Sequence, residues 1–229
     1  MILPSGLSSL DRIMAGGLAT GHITHVYGEA AAGKTTFALQ FVGELCKQDF
    51  GTIYINSENT SPVERLQQMT SKPFRELESL VKILSPRGFS EQGVLFEDLE
   101  LYLRENTKLV VVDTLTKYYR LALEDKKTNY SNHRELNRQA GLLKGLAQTH
   151  DVSVLVLNQV TARMQGINEF EPVAGNIMDY WSEYVIKMKI GRSQGKRILK
   201  RLVPESQRLD CELFLTAEGF SLGPTHEKE

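Results

Sequence analysis

Gly28-Glu29-Ala30-Ala31-Ala32-Gly33-Lys34-Thr35 follows the spacing GxxxxGK(S/T) without departure. Glycines at the two ends of such a loop let successive N–H groups turn inward, where they cradle phosphate oxygens. A helix starting at Lys34 would add the partial positive charge of its N-terminus. The Lys34 ammonium is then placed for the β- and γ-phosphates, the Thr35 hydroxyl for Mg2+, and the Thr36 hydroxyl for the α-phosphate. A bland Gly-rich turn before an ordinary helix would show the same glycines. It would not need the Lys-Thr pair between a strand pattern and a helix pattern. The loop is expected to hold a nucleoside triphosphate, with ATP and Mg2+ as cofactors.

A metal beside phosphates needs a hard oxygen from the protein. Leu109-Val110-Val111-Val112 is a continuous apolar run that ends at Asp113, so Asp113 is the expected metal-side carboxylate. Thr114 follows it, so an acid that orients attacking water must come from elsewhere. Glu58 closes the strand-like stretch 52–57 and is the candidate base. Asn158-Gln159 closes another apolar strand, and the Gln159 amide could contact a γ-phosphate or the water that attacks it.

These residues need a scaffold that brings strand ends together. Strand patterns at 22–27, 52–56, 81–84, 109–112 and 152–157 alternate with helix patterns. The helix over 34–48 carries Phe37, Ala38, Phe41, Val42 and Leu45 on one face. Ser61-Pro62-Val63-Glu64 offers a cap, a Pro at the first helical position and a capping-box acid for a helix towards Met69. Residues 94–103 are amphipathic, and 132–148 have a helical pattern. Such alternation predicts an α/β fold: a mostly parallel sheet with helices on both faces. After about residue 180 the pattern changes to short strands at 184–189, 198–203 and 212–216, which predict an antiparallel C-terminal extension.

The 229 residues carry 27 Lys and Arg against 28 Asp and Glu, a net charge of −1. That balance excludes a uniformly basic protein but leaves local basic patches open. Cys46 and Cys211 have neither disulfide-framework nor zinc spacing, and are expected as reduced, buried thiols. The N-terminus lacks a signal-peptide pattern, and no apolar run is long enough to span a bilayer. The expectation is a soluble cytoplasmic protein with one domain over 1–229 and no association with a membrane.

Taken together, the phosphate loop, the acid after the second core strand, the apolar strand ending in Asp113 and the terminal Asn-Gln resemble the RecA/RadA recombinase family. The resemblance is stronger to its archaeal branch. Ser5-Gly6-Leu7-Ser8-Ser9-Leu10-Asp11 with Gly16-Gly17-Leu18 is similar to the family's opening segment. Tyr54-Ile55-Asn56-Ser57-Glu58 and Glu64-Arg65-Leu66 resemble its second strand and the helix after it, and Pro172-Val173-Ala174-Gly175 resembles the exit of its second DNA-binding loop. The resemblance implies a RecA-like ATPase core. Because 27 residues precede the loop, it also implies no helical N-terminal DNA-binding domain. It further implies an accessory role in homologous recombination and DNA repair, weak ATP hydrolysis, and binding to single-stranded or branched DNA. The implied partners are a RadA-type recombinase and junction-processing enzymes, with self-association left open. Arg65 would stack on or border the adenine.

Two loops and one charge run could contact DNA. The stretch 117–138 interleaves Lys117, Arg120, Lys126, Lys127, Arg134 and Arg138 with Tyr118, Tyr119 and Tyr130, a pattern suited to phosphates and stacked bases. The stretch 161–176 has Arg163 as its cation. Lys196, Arg197, Lys200 and Arg201 form the densest basic cluster, which would bind DNA, close a neighbouring nucleotide site, or simply be a solvated edge. A KaiC-like signalling ATPase of the same superfamily is the rival reading. Such relatives carry paired acids where Ser57-Glu58-Asn59 has one.

Overall fold

The computed structural model describes residues 1–123, 126–162, 170–204 and 209–223. In chain order the elements begin with β1 (Ile2–Leu3), α1 (Ser8–Ile13), β2 (Leu18–Ala19), β3 (Ile23–Gly28), α2 (Lys34–Lys47), β4 (Gly51–Asn56) and α3 (Val63–Thr70). Next come β5 (Val81–Leu84), α4 (Phe89–Glu97), β6 (Thr107–Asp113), α5 (Lys117–Leu121), α6 (Lys126–His150) and β7 (Ser153–Asn158). The remainder is β8 (Val160–Ala162), β9 (Phe170–Pro172), α7 (Gly175–Trp181), β10 (Tyr184–Ile190), β11 (Lys196–Val203), β12 (Asp210–Thr216) and β13 (Gly219–Ser221).

Nine strands form one sheet in the order β13-β12-β11-β10-β3-β7-β6-β4-β5. From β10 to β5 all neighbours are parallel, whereas β11, β12 and β13 join antiparallel. The alternation of strands and helices therefore gives the expected parallel sheet, and the hairpin patterns after residue 180 give its antiparallel extension.

Strand alternation explains why the central strands are apolar throughout. Leu109 and Val111 enter one core with Phe37, Phe41 and Leu45 of α2, while Val110 and Val112 enter the other. The second core takes Leu136, Ala140, Leu143 and Ala147, one stripe of α6 at helical spacing. Among the described residues no helix is long and apolar enough to cross a membrane.

Several local boundaries differ from the pattern. Helix α6 begins at Lys126, before the stretch whose periodicity marks it, because its first turns are polar and bury no stripe. Residues 94–103 divide between the end of α4 and a 3-10 turn at Leu99–Tyr102. Helix α3 starts at Val63, with Pro62 in the cap position and the Val63 N–H donating to Ser61 Oγ at 3.3 Å. Both cysteines are buried, and burial pushes each thiol up to about 11.

Candidate active site

Parallel strands end on the same edge of a sheet, so β3, β7, β6 and β4 deliver their following residues to one place. Strand β3 runs into the Gly28–Thr35 loop, and α2 begins at Lys34. Gly33 occupies the helix cap with φ 95°, which suits glycine, and Ala31 is also left-handed at φ 60°. The first turn of α2 contains no acid, and Gly33 supplies no side-chain cap. The orphan N–H groups of that turn are therefore not satisfied from within, as an anion site requires. Gly28 is needed for a different reason. A Cβ there would lie 2.5 Å from the Met188 carbonyl oxygen of the neighbouring β10.

The Lys34 ammonium lies over this loop, donating to the Gly28 and Glu29 carbonyls at 2.9 Å each. Burial lowers its pKa, while Asp113, Glu58 and Glu29 pull the other way. Thr35 Oγ1 donates to Asp113 Oδ2 at 2.8 Å, and the Tyr54 hydroxyl donates to the same oxygen at 2.6 Å. Asp113 is 3% exposed, and burial raises its pKa against those two hydrogen bonds. A buried carboxylate beside a threonine hydroxyl is a hard-oxygen pair that fits a divalent cation. Among the described residues no group of three His, Cys, Asp or Glu could form an all-protein metal cage. A cation here would need phosphate or water oxygens as further ligands.

Glu58 follows β4, and its Oε1 accepts from Thr114 Oγ1 at 3.2 Å and from Gln159 Nε2 at 3.1 Å. Gln159 Oε1 in turn accepts from Arg120 at 2.7 Å. Glu58, Gln159 and Arg120 thus form a chain from the strand ends to the exposed side of α5. Lys117, at the start of α5, donates to the Ser57 carbonyl and to Asn59 Oδ1 at 2.8 Å, pinning the segment that carries Glu58. A cavity of about 320 Å³ joins Thr35, Asp113, Glu58 and Arg65. Arg65 borders it while donating to the Thr216 and Ala217 carbonyls, which ties α3 to the end of β12. A larger cavity of about 790 Å³ lies against Pro172, Asn176 and Leu202 and contains none of the candidate residues.

Residues 1–221 match the Rad51 family. The chain belongs to that family. A DNA repair and recombination protein RadB from Methanococcoides burtonii is 31% identical over 95% of this chain and 96% of its own. The RadB from Archaeoglobus fulgidus is 33% identical over 96% and 98% respectively. The RadB from Methanothermobacter thermautotrophicus is 30% identical over 85% of each.

In this Rad51-family chain the loop residues Gly28 to Thr35, together with Thr36, Asp113, Glu58, Gln159 and Arg65, all gather at the carboxyl edge. The basic cluster of β11 does not stay together. Strand alternation turns Arg197, Leu199 and Arg201 to the buried side and leaves Lys196, Ile198 and Lys200 on the other. Arg201 is 1% exposed and Arg197 9%, and Lys196 pairs with Glu212 at 2.8 Å. Lys200 is the one of the four that is exposed. The four side chains of the cluster thus divide into one exposed lysine, one lysine paired with a glutamate and two buried arginines. Arg163 lies outside the described residues.

Sequence reasoning missed Tyr54 as a partner of Asp113, because a tyrosine inside a strand has the look of core. It named Arg120 for its charge only, although its place in the chain to Glu58 depends on α5 lying within reach of Gln159, the residue that follows β7. The Thr114 hydroxyl had no sequence signal at all.

Proposed function

We propose that this chain is an ATP- and DNA-binding accessory protein of homologous recombination and repair, with slow Mg2+-dependent ATP hydrolysis. A recombination and repair role is supported by the Rad51-family match and the RadB relatives. The observation that carries the nucleotide reading is one cavity lined by the Thr35–Asp113 pair, Glu58 and Arg65, next to the loop whose Gly28 and Glu29 carbonyls hold Lys34. In this reading the loop N–H groups and Lys34 bind the phosphates, and Arg65 borders the base. Thr35 and Asp113 would hold Mg2+, which when bound neutralises charge on the β- and γ-phosphates. Glu58, held by Thr114 and Gln159, orients water for attack, and Gln159 relates the state of that site to Arg120.

Partners follow from the same reading: DNA on the α5 side, a RadA-type recombinase and junction-processing enzymes, with self-association as a further possibility to measure. The deciding experiment is calorimetric titration of ATP with Mg2+ into the parent and Lys34→Ala. The variant should lose most of its affinity while keeping its fold, since Lys34 packs on a loop rather than in either apolar core. Equal affinity in the two proteins would overturn the phosphate-site reading. Titration of labelled DNA at several salt concentrations then tests the second half, because phosphate contacts make affinity fall with salt.

A further inference from the structure

We propose that Arg197 is the positioning residue of the phosphate loop, acting from the antiparallel extension on the carbonyl of Ala31. The proposal rests on the nucleotide reading above. Arg197 Nη2 donates to the Ala31 carbonyl at 3.1 Å, and Nη1 donates to the Lys196 carbonyl at 3.0 Å. The guanidinium thus bridges the backbone of its own strand, β11, to the crest of the loop between β3 and α2. Two more contacts join the same parts. The Ile190 N–H of β10 donates to Glu29 Oε1 at 3.2 Å, and a Cβ on Gly33 would lie 3.1 Å from the Phe220 ring of β13. Among these contacts the arginine is the one that grips the loop's crest by its backbone.

The crest needs such a grip. Ala31 is left-handed at φ 60°, a conformation disfavoured for a residue with a Cβ. Its carbonyl belongs to a rigid peptide plane whose other side is the Ala32 N–H, and that N–H closes the loop's turn on Glu29 O at 3.2 Å. Fixing the Ala31 oxygen therefore fixes the turn from which the phosphate-facing groups project. The arrangement is also poor as simple packing. Arg197 is 9% exposed, and its Nε is buried with no hydrogen-bond partner among the described residues. An apolar side chain would fill the position without leaving a buried donor unpaired. The guanidinium is explained by what it holds.

The test compares the parent with Arg197→Lys and Arg197→Met, using Lys34→Ala as the reference for the site. Two quantities are read: ATP affinity with Mg2+, and amide hydrogen exchange of residues 29–33 in the nucleotide-free protein. Lysine keeps the charge and most of the buried stem but lacks the fork that reaches two carbonyls. Both variants should expose the loop amides to faster exchange, with β7 unchanged, and bind ATP about tenfold more weakly. If Arg197→Met does not fold, Arg197→Lys carries the same comparison. Parental exchange and affinity in Arg197→Lys, with affinity lost in Lys34→Ala, would overturn the positioning role. Faster exchange across the whole sheet would also overturn it, because that is general loosening. If Lys34→Ala binds ATP like the parent, the nucleotide reading is what fails. Loop exchange still decides whether Arg197 anchors the turn.

Discussion

Mild acid should unfold this protein partly through one buried histidine. His25 lies in β3 and is 0% exposed, with Nε2 3.1 Å from the Asn158 amide nitrogen. Asn158 Oδ1 accepts from Thr116 Oγ1 at 3.1 Å, so the asparagine amide donates to the imidazole, which must be neutral to accept. Burial pushes His25 down from 6.5 to about 3. A depressed histidine pKa means that the unfolded chain takes up the proton first. Its contribution is complete above about pH 6.5 and is lost as the pH falls through the window towards 3. At about pH 5 the unfolded histidine is one and a half units below its pKa, worth roughly 2 kcal/mol. That loss is the same for any folded pKa well below 5, so it does not depend on the depth of the shift. The assay is urea denaturation of the parent and His25→Gln at about pH 7.5 and 5, comparing the change between the two conditions. Glutamine keeps an acceptor for Asn158 and removes the titration, while every other group cancels in the comparison. The parent should lose about 2 kcal/mol more than the variant. Equal losses would show that His25 takes its proton in the folded state at an ordinary pH, and the argument from burial would be wrong.

Glu58→Gln should bind ATP as the parent does but turn it over about a hundredfold more slowly or worse, the low end of general-base contributions. Single-turnover kinetics with protein in excess checks this, and equal rates would reduce Glu58 to a loop carboxylate. Lys200→Ala should weaken DNA binding across sequences and make the log–log salt slope shallower by about one unit. An unchanged slope moves the contact to residues 117–138. Tyr54→Phe removes a donor from the Asp113 carboxylate and should cost about 1.5–3 kcal/mol of stability in urea denaturation without nucleotide.

Most of the large sheet could be read from residue pattern because each core strand is bounded by a change of period. Val81–Leu84 is recovered without error, the other expected strands fall within two residues of the pattern, and the three-residue β13 was missed. The loop and the strand ending at Asp113 were legible as elements because a fixed glycine spacing between a strand and a helix pattern, and an unbroken apolar run, each mark their own limits. Arg197 and Arg201 were not, since a charge run gives no sign of which alternate positions a strand turns inward. The β1–β2 and β8–β9 pairs were missed for a related reason: two or three residues are too few to show a period. Gln92 and Gln139 are likewise buried, joined by a 2.8 Å hydrogen bond, where composition alone would place them at the surface.

Strand β3 has β7 on one side and β10 on the other, and both come from the second half of the chain. The strand that runs into the Gly28–Thr35 loop is thus made early and paired late. During synthesis its backbone groups wait unpartnered while α2, β4 and β6 emerge, and only the arrival of β7 gives it a first neighbour. Closing such long segments is entropically slow and raises contact order, so the edge that bears the Gly28–Thr35 loop should be among the last parts to lock in refolding. A nascent chain stopped before residue 184 would expose one open side of β3, the very strand that begins the loop, as a template for misplaced pairing.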